Sequence, residues 1–117
     1  NRVLGFVNAP ALIQRAVKHV QDISVNAELY RKKRDFLYAE LIRIGYSVVK
    51  PQGAFYFFPK SPIEDEVAFV QKLAKKRVLV VPGRGFGSPG YFRISYCVPD
   101  QVLEGSVAGF EEAFNEV

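Results

Sequence analysis

The segment at residues 78–98, VLVVPGRGFGSPGYFRISYCV, constrains the fold more than any other part of this chain. Its first four residues, 78–81, are all apolar and predict a strand buried on both faces. A loop rich in glycine and proline follows at 82–90, and a strand-like run at 91–97 leaves it. The segment therefore predicts two strands joined by a loop whose glycines adopt positive φ.

Arg93 is the one charged residue of the second strand-like run. Period-two alternation places it on the face opposite to Phe92, Ile94 and Tyr96. An arginine among apolar and aromatic strand residues is unfavourable unless it is paired. It could occupy a sheet edge or form an internal ion pair, or its planar fork could bind the carboxylate of a ligand. Periodicity alone leaves these interpretations open.

The remaining chain predicts further elements, for an overall order of ααββαββα. Helices are expected to begin at Pro10, at the cap Asn26, at the capping sequence 61–64 and at Pro99. Gly45 is a natural end for the second helix. Strands are expected at 46–50 and 55–58, paired with each other as a hairpin or as neighbours. The fold class is thus a mixed α/β single domain, residues 1–117, with a small sheet of about four strands covered by helices.

Composition excludes several classes of function. The single Cys97 leaves no disulfide framework and no cysteine-based metal site, and His19 is the only histidine. We expect Cys97 in the core, His19 at the surface, and the carboxylates of 64–66 on the outside of a helix start. No apolar run reaches the length of a membrane span. The chain has no methionine, which suggests an excised domain or a processed product, and a reducing cytoplasmic setting fits.

The glycine loop raises two alternatives. A dinucleotide-binding turn should open into a helix, whereas this loop leads into a strand. The sequence Arg84-Gly85-Phe86-Gly87 matches the opening of an RNA-binding signature, but Pro89 interrupts the strand that the signature requires. The aromatic run 55–58 and the net charge of +4 keep a free-standing RNA-binding module open. The basic run 31–34 points around a helix and is more typical of a solvated face.

Several motifs occur together in an order that resembles a known family. They are NAP at 8–10, PQGAFY at 51–56, VVPG at 80–83 with FG at 86–87, and YFRISY at 91–96. In combination they resemble the C-terminal part of class I/II aminotransferases, the fold-type I enzymes of the aspartate aminotransferase family. The resemblance implies the fold of that C-terminal small domain. It also implies a parent enzyme that transfers an amino group between an amino acid and a 2-oxo acid.

The resemblance also implies roles for residues and partners. Arg93 would bind the substrate α-carboxylate, and Gly53, Ala54, Phe55 and Gly83 would border the site. The parent would use pyridoxal 5'-phosphate, contain a large cofactor-binding domain and form a homodimer, with neither nucleic acid nor membrane as partner. The catalytic lysine would lie upstream, so the isolated chain is expected to be inactive and to bind no cofactor specifically. Carbon–sulfur lyases and synthases of the same fold type remain alternatives.

Overall fold

The structure, a computed structural model, describes residues 9–22 and 24–117. Residues 1–8, which include Asn8 of the NAP motif, lie outside these ranges. Within these ranges it contains four α-helices, three short strands and one 3-10 turn. In chain order these are α1 (Ala11–Val17), α2 (Ala27–Ile44), β1 (Tyr56–Phe57), α3 (Glu66–Lys75), β2 (Val81–Pro82), the 3-10 turn Gly83–Phe86, β3 (Phe92–Ser95) and α4 (Asp100–Asn115). The mixed α/β class is confirmed, with three strands rather than about four.

The sheet is antiparallel and has the order β1-β3-β2, so β3 is its central strand. Tyr56 is opposite Ser95 in one ladder, and Val81 is opposite Arg93 in the other. The alternation predicted for β3 is confirmed, because Phe92, Ile94 and Tyr96 are all buried. Their shared face is therefore the side of the sheet that meets the core.

The predicted strand at 46–50 is wrong, and so is its pairing with the next strand. Tyr46 is buried, but Val49 is 86% exposed. The amide of Lys60 donates to the carbonyl of Ser47 at 2.9 Å, but no residue of 46–50 takes part in a strand ladder. β1 pairs with β3, whereas segment 46–50 passes beside the sheet without forming a ladder.

Helix α2 begins and ends as its sequence predicts. The Asn26 side chain accepts a hydrogen bond from the amide of Leu29, and Gly45 closes the helix with φ of 116°. Leu37 and Leu41 are fully buried. Capping and apolar spacing therefore fix this helix locally, and its buried face joins the core.

Helix α3 begins later than predicted. Its cap is Asp65, whose carboxylate accepts from the amides of Val67 and Ala68, and not Ser61. Ser61 is buried, and its amide donates to the carbonyl of Gly90 at 2.9 Å. The capping sequence at 61–64 is thus used to join the glycine loop, which a local pattern cannot show.

The strand predicted at 78–81 is shorter and more exposed than expected. Val78 is buried, whereas Leu79 is 86% exposed. Strand β2 lies at the edge of the sheet, so only one of its sides has a partner strand. In the loop that follows, Gly87 and Gly90 have φ of 73° and 80°, which confirms the predicted positive φ there.

Aromatic rings form the centre of the core. The Tyr46 ring lies 4.9–6.2 Å, between ring centres, from four phenylalanine rings of α3, β3 and α4. Its hydroxyl donates to the carbonyl of Phe110 at 2.9 Å. Burial raises the pKa of Tyr46 above its ordinary value. This satisfied hydroxyl lets a tyrosine occupy an otherwise apolar core.

The predictions for α1, His19 and Cys97 have different outcomes. The periodic residues of α1 do form a helix, but its apolar side chains are exposed in the described structure, with Leu12 at 76%. His19 is exposed, as expected, whereas Cys97 is exposed rather than in the core. None of the helices that the structure describes is long and apolar enough to cross a bilayer. Periodicity identifies an apolar face but not what covers it.

Candidate functional site

Arg93 lies between two aromatic rings on the central strand. Its guanidinium carbon is 4.4 Å from the centre of the Tyr56 ring and 4.1 Å from that of Phe86. Tyr56 belongs to β1 and Phe86 to the 3-10 turn after β2, so each ring comes from a different side of β3. The negative faces of the rings attract the cation and fix the orientation of the guanidinium plane. The N–H groups at its edge are left to bind a ligand.

The structure argues against two interpretations of Arg93, the sheet edge and the internal ion pair. It is on the middle strand, so it does not occupy a sheet edge. Ten ion pairs join the side chains of the described residues within 4.0 Å, and Arg93 takes part in none of them. A half-buried guanidinium without a carboxylate among these residues is typical of a site that receives an anion.

The predicted site residue Gly83 lies at the start of the 3-10 turn and is buried. A β-carbon built there would clash with the carbonyl oxygens of Ser88 and Tyr91. The amide of Gly83 donates to the carbonyl of Tyr91 at 2.7 Å. Only glycine permits this close approach, which brings the turn and its Phe86 next to β3.

The other predicted site residues, Gly53, Ala54 and Phe55, line an open hollow of about 390 Å³ with Tyr30 and Arg34 among its walls. Arg93 does not line this hollow. The two regions touch through neighbouring rings, since the Phe55 and Tyr56 ring centres are 4.6 Å apart. The structure therefore places the predicted site residues in two adjoining regions.

A second charged cluster holds the loop beside Arg93. The Nε of Arg84 donates to Oε1 of Glu66 at 2.6 Å, and its Nη2 donates to Oε2 at 3.3 Å. Nη2 also donates to Asp65, and the amide of Gly90 donates to Oε2 of Glu66 at 3.1 Å. Arg84 first and then Gly90 lower the pKa of Glu66 to about 2.

Glu66 is only 1% exposed, so the expectation that it lies on an outer face is wrong. Its burial is possible because three donors satisfy the carboxylate. The sequence contains no local signal for this cluster, since Glu66 and Arg84 are far apart in the chain. Tyr56 was likewise not predicted as a neighbour of Arg93. Its position in PQGAFY, next to a predicted site residue, is the one signal that could have indicated it.

The part of the chain that the structure describes contains no candidate metal-binding site. No group of three or more histidine, cysteine, aspartate or glutamate side chains is placed there to hold an ion. The arrangement around Arg93 is instead one cation between rings, reached beside a tightly turned loop. It is suited to bind and orient a carboxylate.

Comparison with known proteins supports the predicted resemblance. A family model described as aminotransferase class I and II matches residues 4–109. The chain belongs to this family. As an aminotransferase segment, it is 36% identical over 100 residues to a probable aspartate/prephenate aminotransferase of Aquifex aeolicus. It is 39% identical over 89 residues to an aspartate aminotransferase of Bacillus subtilis.

Solved aminotransferase structures have the same fold. The chain superposes on an aminotransferase of Eubacterium rectale with a TM-score of 0.85 and 42% identity, covering 98% of this chain and 29% of that one. It superposes on an aspartate aminotransferase of Thermotoga maritima with a TM-score of 0.74 and 30% identity, covering 86% of this chain and 27% of that one. These similarities establish the fold independently of the sequence motifs.

The aminotransferase segment is much shorter than its relatives. The alignment with the Aquifex aeolicus protein includes 75% of this chain but only 24% of that protein. The alignment with the Bacillus subtilis protein includes 68% of this chain but only 23% of that protein. It thus corresponds to a part of an aminotransferase. Membership of this family argues against a free-standing RNA-binding module.

Proposed function

We propose that this segment binds the α-carboxylate of the substrate in an aminotransferase that exchanges an amino group between an amino acid and a 2-oxo acid. The observation that carries the proposal is the guanidinium of Arg93, held between Tyr56 and Phe86 without a carboxylate partner among the described residues. The names of the relatives support the reaction.

The geometry suits a planar anion. Rings against the faces of the guanidinium restrict its rotation, and the N–H fork can form two parallel hydrogen bonds to a carboxylate. Restricting the receptor before binding reduces the entropy lost when the substrate is oriented. Arg93 would thereby hold the Cα of the substrate in one place while the chemistry proceeds.

Pyridoxal phosphate is the cofactor that the family implies, and it supplies an electron sink for amino-group transfer. The hollow lined by Gly53, Ala54 and Phe55 does not fit it. A Schiff base requires a lysine amine, and no lysine is among the described residues that line this hollow. We therefore derive no cofactor step from this segment and assign the cofactor to other parts of the enzyme.

The proposal extends to the organisation of the whole enzyme. Residues 1–117 would be its C-terminal small domain, and a large cofactor-binding domain would be its main partner. The enzyme would be a homodimer in the cytoplasm. Coverage of only 23–29% of the relatives' chains supports a larger protein. Gly53, Ala54, Phe55 and Gly83 would border the substrate site, from the two adjoining regions described above.

The test is substitution of Arg93 in the full-length enzyme. Arg93→Ala is expected to lower kcat/KM for L-aspartate by about 30-fold to several thousand-fold, as expected when about 2–5 kcal/mol of charge-pair binding is removed. Arg93→Lys keeps the charge but not the fork, and we expect it to remain strongly impaired.

The matched control is Arg43→Lys, because Arg43 forms a bidentate ion pair with Glu111 on the surface. It should leave kcat/KM within about twofold, since exposed ion pairs contribute little. Unchanged kcat/KM in Arg93→Ala would rule out the proposed role of Arg93.

A further inference from the structure

Glu66 holds both ends of the loop at 83–90. Its carboxylate receives Arg84 through two nitrogens near the start of the loop and the amide of Gly90 at its end. Glu66 is itself fixed, because it is the first residue of α3 and is 1% exposed. The carbonyl of Gly90 in turn accepts from the amide of Ser61.

Phe86 lies within the loop that Glu66 holds. Two backbone hydrogen bonds close the turn around Phe86. The amide of Gly87 donates to the carbonyl of Arg84 at 3.1 Å, and the amide of Ser88 donates to the carbonyl of Gly83 at 3.0 Å. Such a turn has little freedom to adjust one residue alone. Movement of Arg84 would therefore displace Phe86, two residues further on, whose ring is 4.1 Å from the guanidinium carbon of Arg93.

From these contacts we propose that Glu66 is a positioning residue for substrate binding. Through Arg84 and the amide of Gly90 it holds Phe86 against Arg93, and so it sets the affinity for the substrate carboxylate without touching the substrate. The inference rests on the proposed function of Arg93. Arg84 then serves to anchor the loop, since its guanidinium is engaged by Glu66 and Asp65.

The first test is Glu66→Gln in the full-length enzyme, with L-aspartate as the probe. Glutamine keeps the size of the side chain but replaces one accepting oxygen by a donor. Because Oε1 accepts from one donor and Oε2 from two, at least one of the three donors loses its partner. The expected result is a KM raised about fivefold with kcat within about twofold. The reason is that a less firmly held Arg93 would weaken binding of the substrate and of the transition state equally.

Variants of the same chain separate positioning from stability. Phe86→Leu removes the ring while Glu66 stays intact, and it should raise KM to a similar extent. Arg84→Lys, which keeps the charge, should recover part of the affinity that Arg84→Gln loses. Glu112→Gln is the control, because the exposed side chain of Glu112 forms an ion pair only with Lys76 among the described residues; its KM should not change.

A double variant tests the route through Arg93. Once Arg93→Lys has weakened carboxylate binding, adding Glu66→Gln should raise KM little further, since both changes act on one contact. If Glu66→Gln and Phe86→Leu lower thermal stability or kcat but leave KM unchanged, Glu66 is only structural and the inference is wrong, while the role of Arg93 stands. If Arg93→Lys itself leaves KM unchanged, the proposed function fails and the inference fails with it.

Discussion

Replacing Gly109 and Gly105 by alanine, one at a time, should stabilise α4 at Gly105 but not at Gly109. The two glycines are one turn apart in the same helix, and each gains about 1 kcal/mol of helix propensity when it becomes alanine. Around Gly105 a new β-carbon would have no neighbour within 4 Å. Gly105→Ala should therefore stabilise α4 by about 1 kcal/mol.

At Gly109 the same methyl group has no room. Its β-carbon would lie 2.5 Å from Cγ2 of Val78 and 3.1 Å from the carbonyl oxygen of Lys76. Val78 is buried, so it cannot turn into solvent, and overpacking of this kind costs about 1–3 kcal/mol. After the propensity gain, Gly109→Ala should be neutral or destabilise α4 by up to about 2 kcal/mol.

The assay is native-state hydrogen exchange of the α4 amides in the full-length enzyme, read by mass spectrometry. It reports the free energy of opening this helix without requiring two-state unfolding of a large protein. Gly105→Ala should slow exchange, and Gly109→Ala should leave it unchanged or speed it up. Equal protection in both variants would refute the close packing of α4 on Val78, and faster exchange in Gly105→Ala would refute the propensity argument.

Two further predictions concern buried polar groups. Tyr46→Phe removes the hydroxyl that donates to the carbonyl of Phe110 in α4, and it should lower the free energy of opening α4 by about 1 kcal/mol in the same hydrogen-exchange assay. The folded-state pKa of Glu66 is about 2 against a usual 4.5, so its ionised form stabilises the fold above pH 4.5, and this contribution is lost as pH falls towards 2. The difference in Tm between wild type and Glu66→Gln should thus shrink from pH 6 to pH 2, and a constant difference would contradict the role of the Glu66 charge.

Local chemistry in the sequence determined much of the fold. The cap Asn26, the terminator Gly45 and the spacing of Leu37 and Leu41 act within a few residues of each other, so α2 could be predicted from its own segment. The alternation in β3 could be predicted for the same reason, and it isolated Arg93 as the one charged residue of that run, whereas the role of Arg93 as a receptor followed from the family resemblance. The aminotransferase motifs identified the family because their order along the chain is itself a sequence property.

Tertiary structure decided the choice of partners. Segment 46–50 has a strand-like pattern, yet β1 pairs with β3, and no local pattern reports which of two candidate ladders forms. The sequence at 61–64 has every feature of a cap, but the cap of α3 is Asp65, and the amide of Ser61 instead donates to the carbonyl of Gly90. Both outcomes depend on segments distant in the chain.

The candidate site divides in the same way. Sequence alone selected Arg93 and the glycines that let the loop turn closely, since charge and φ preference belong to single residues. The rings on each side of Arg93 come from β1 and from the turn after β2, and Glu66 reaches Arg84 from another helix. These contacts exist only after β1, α3, the 3-10 turn and β3 have packed together, because the pairing energy of a buried charge depends on the groups that surround it in space.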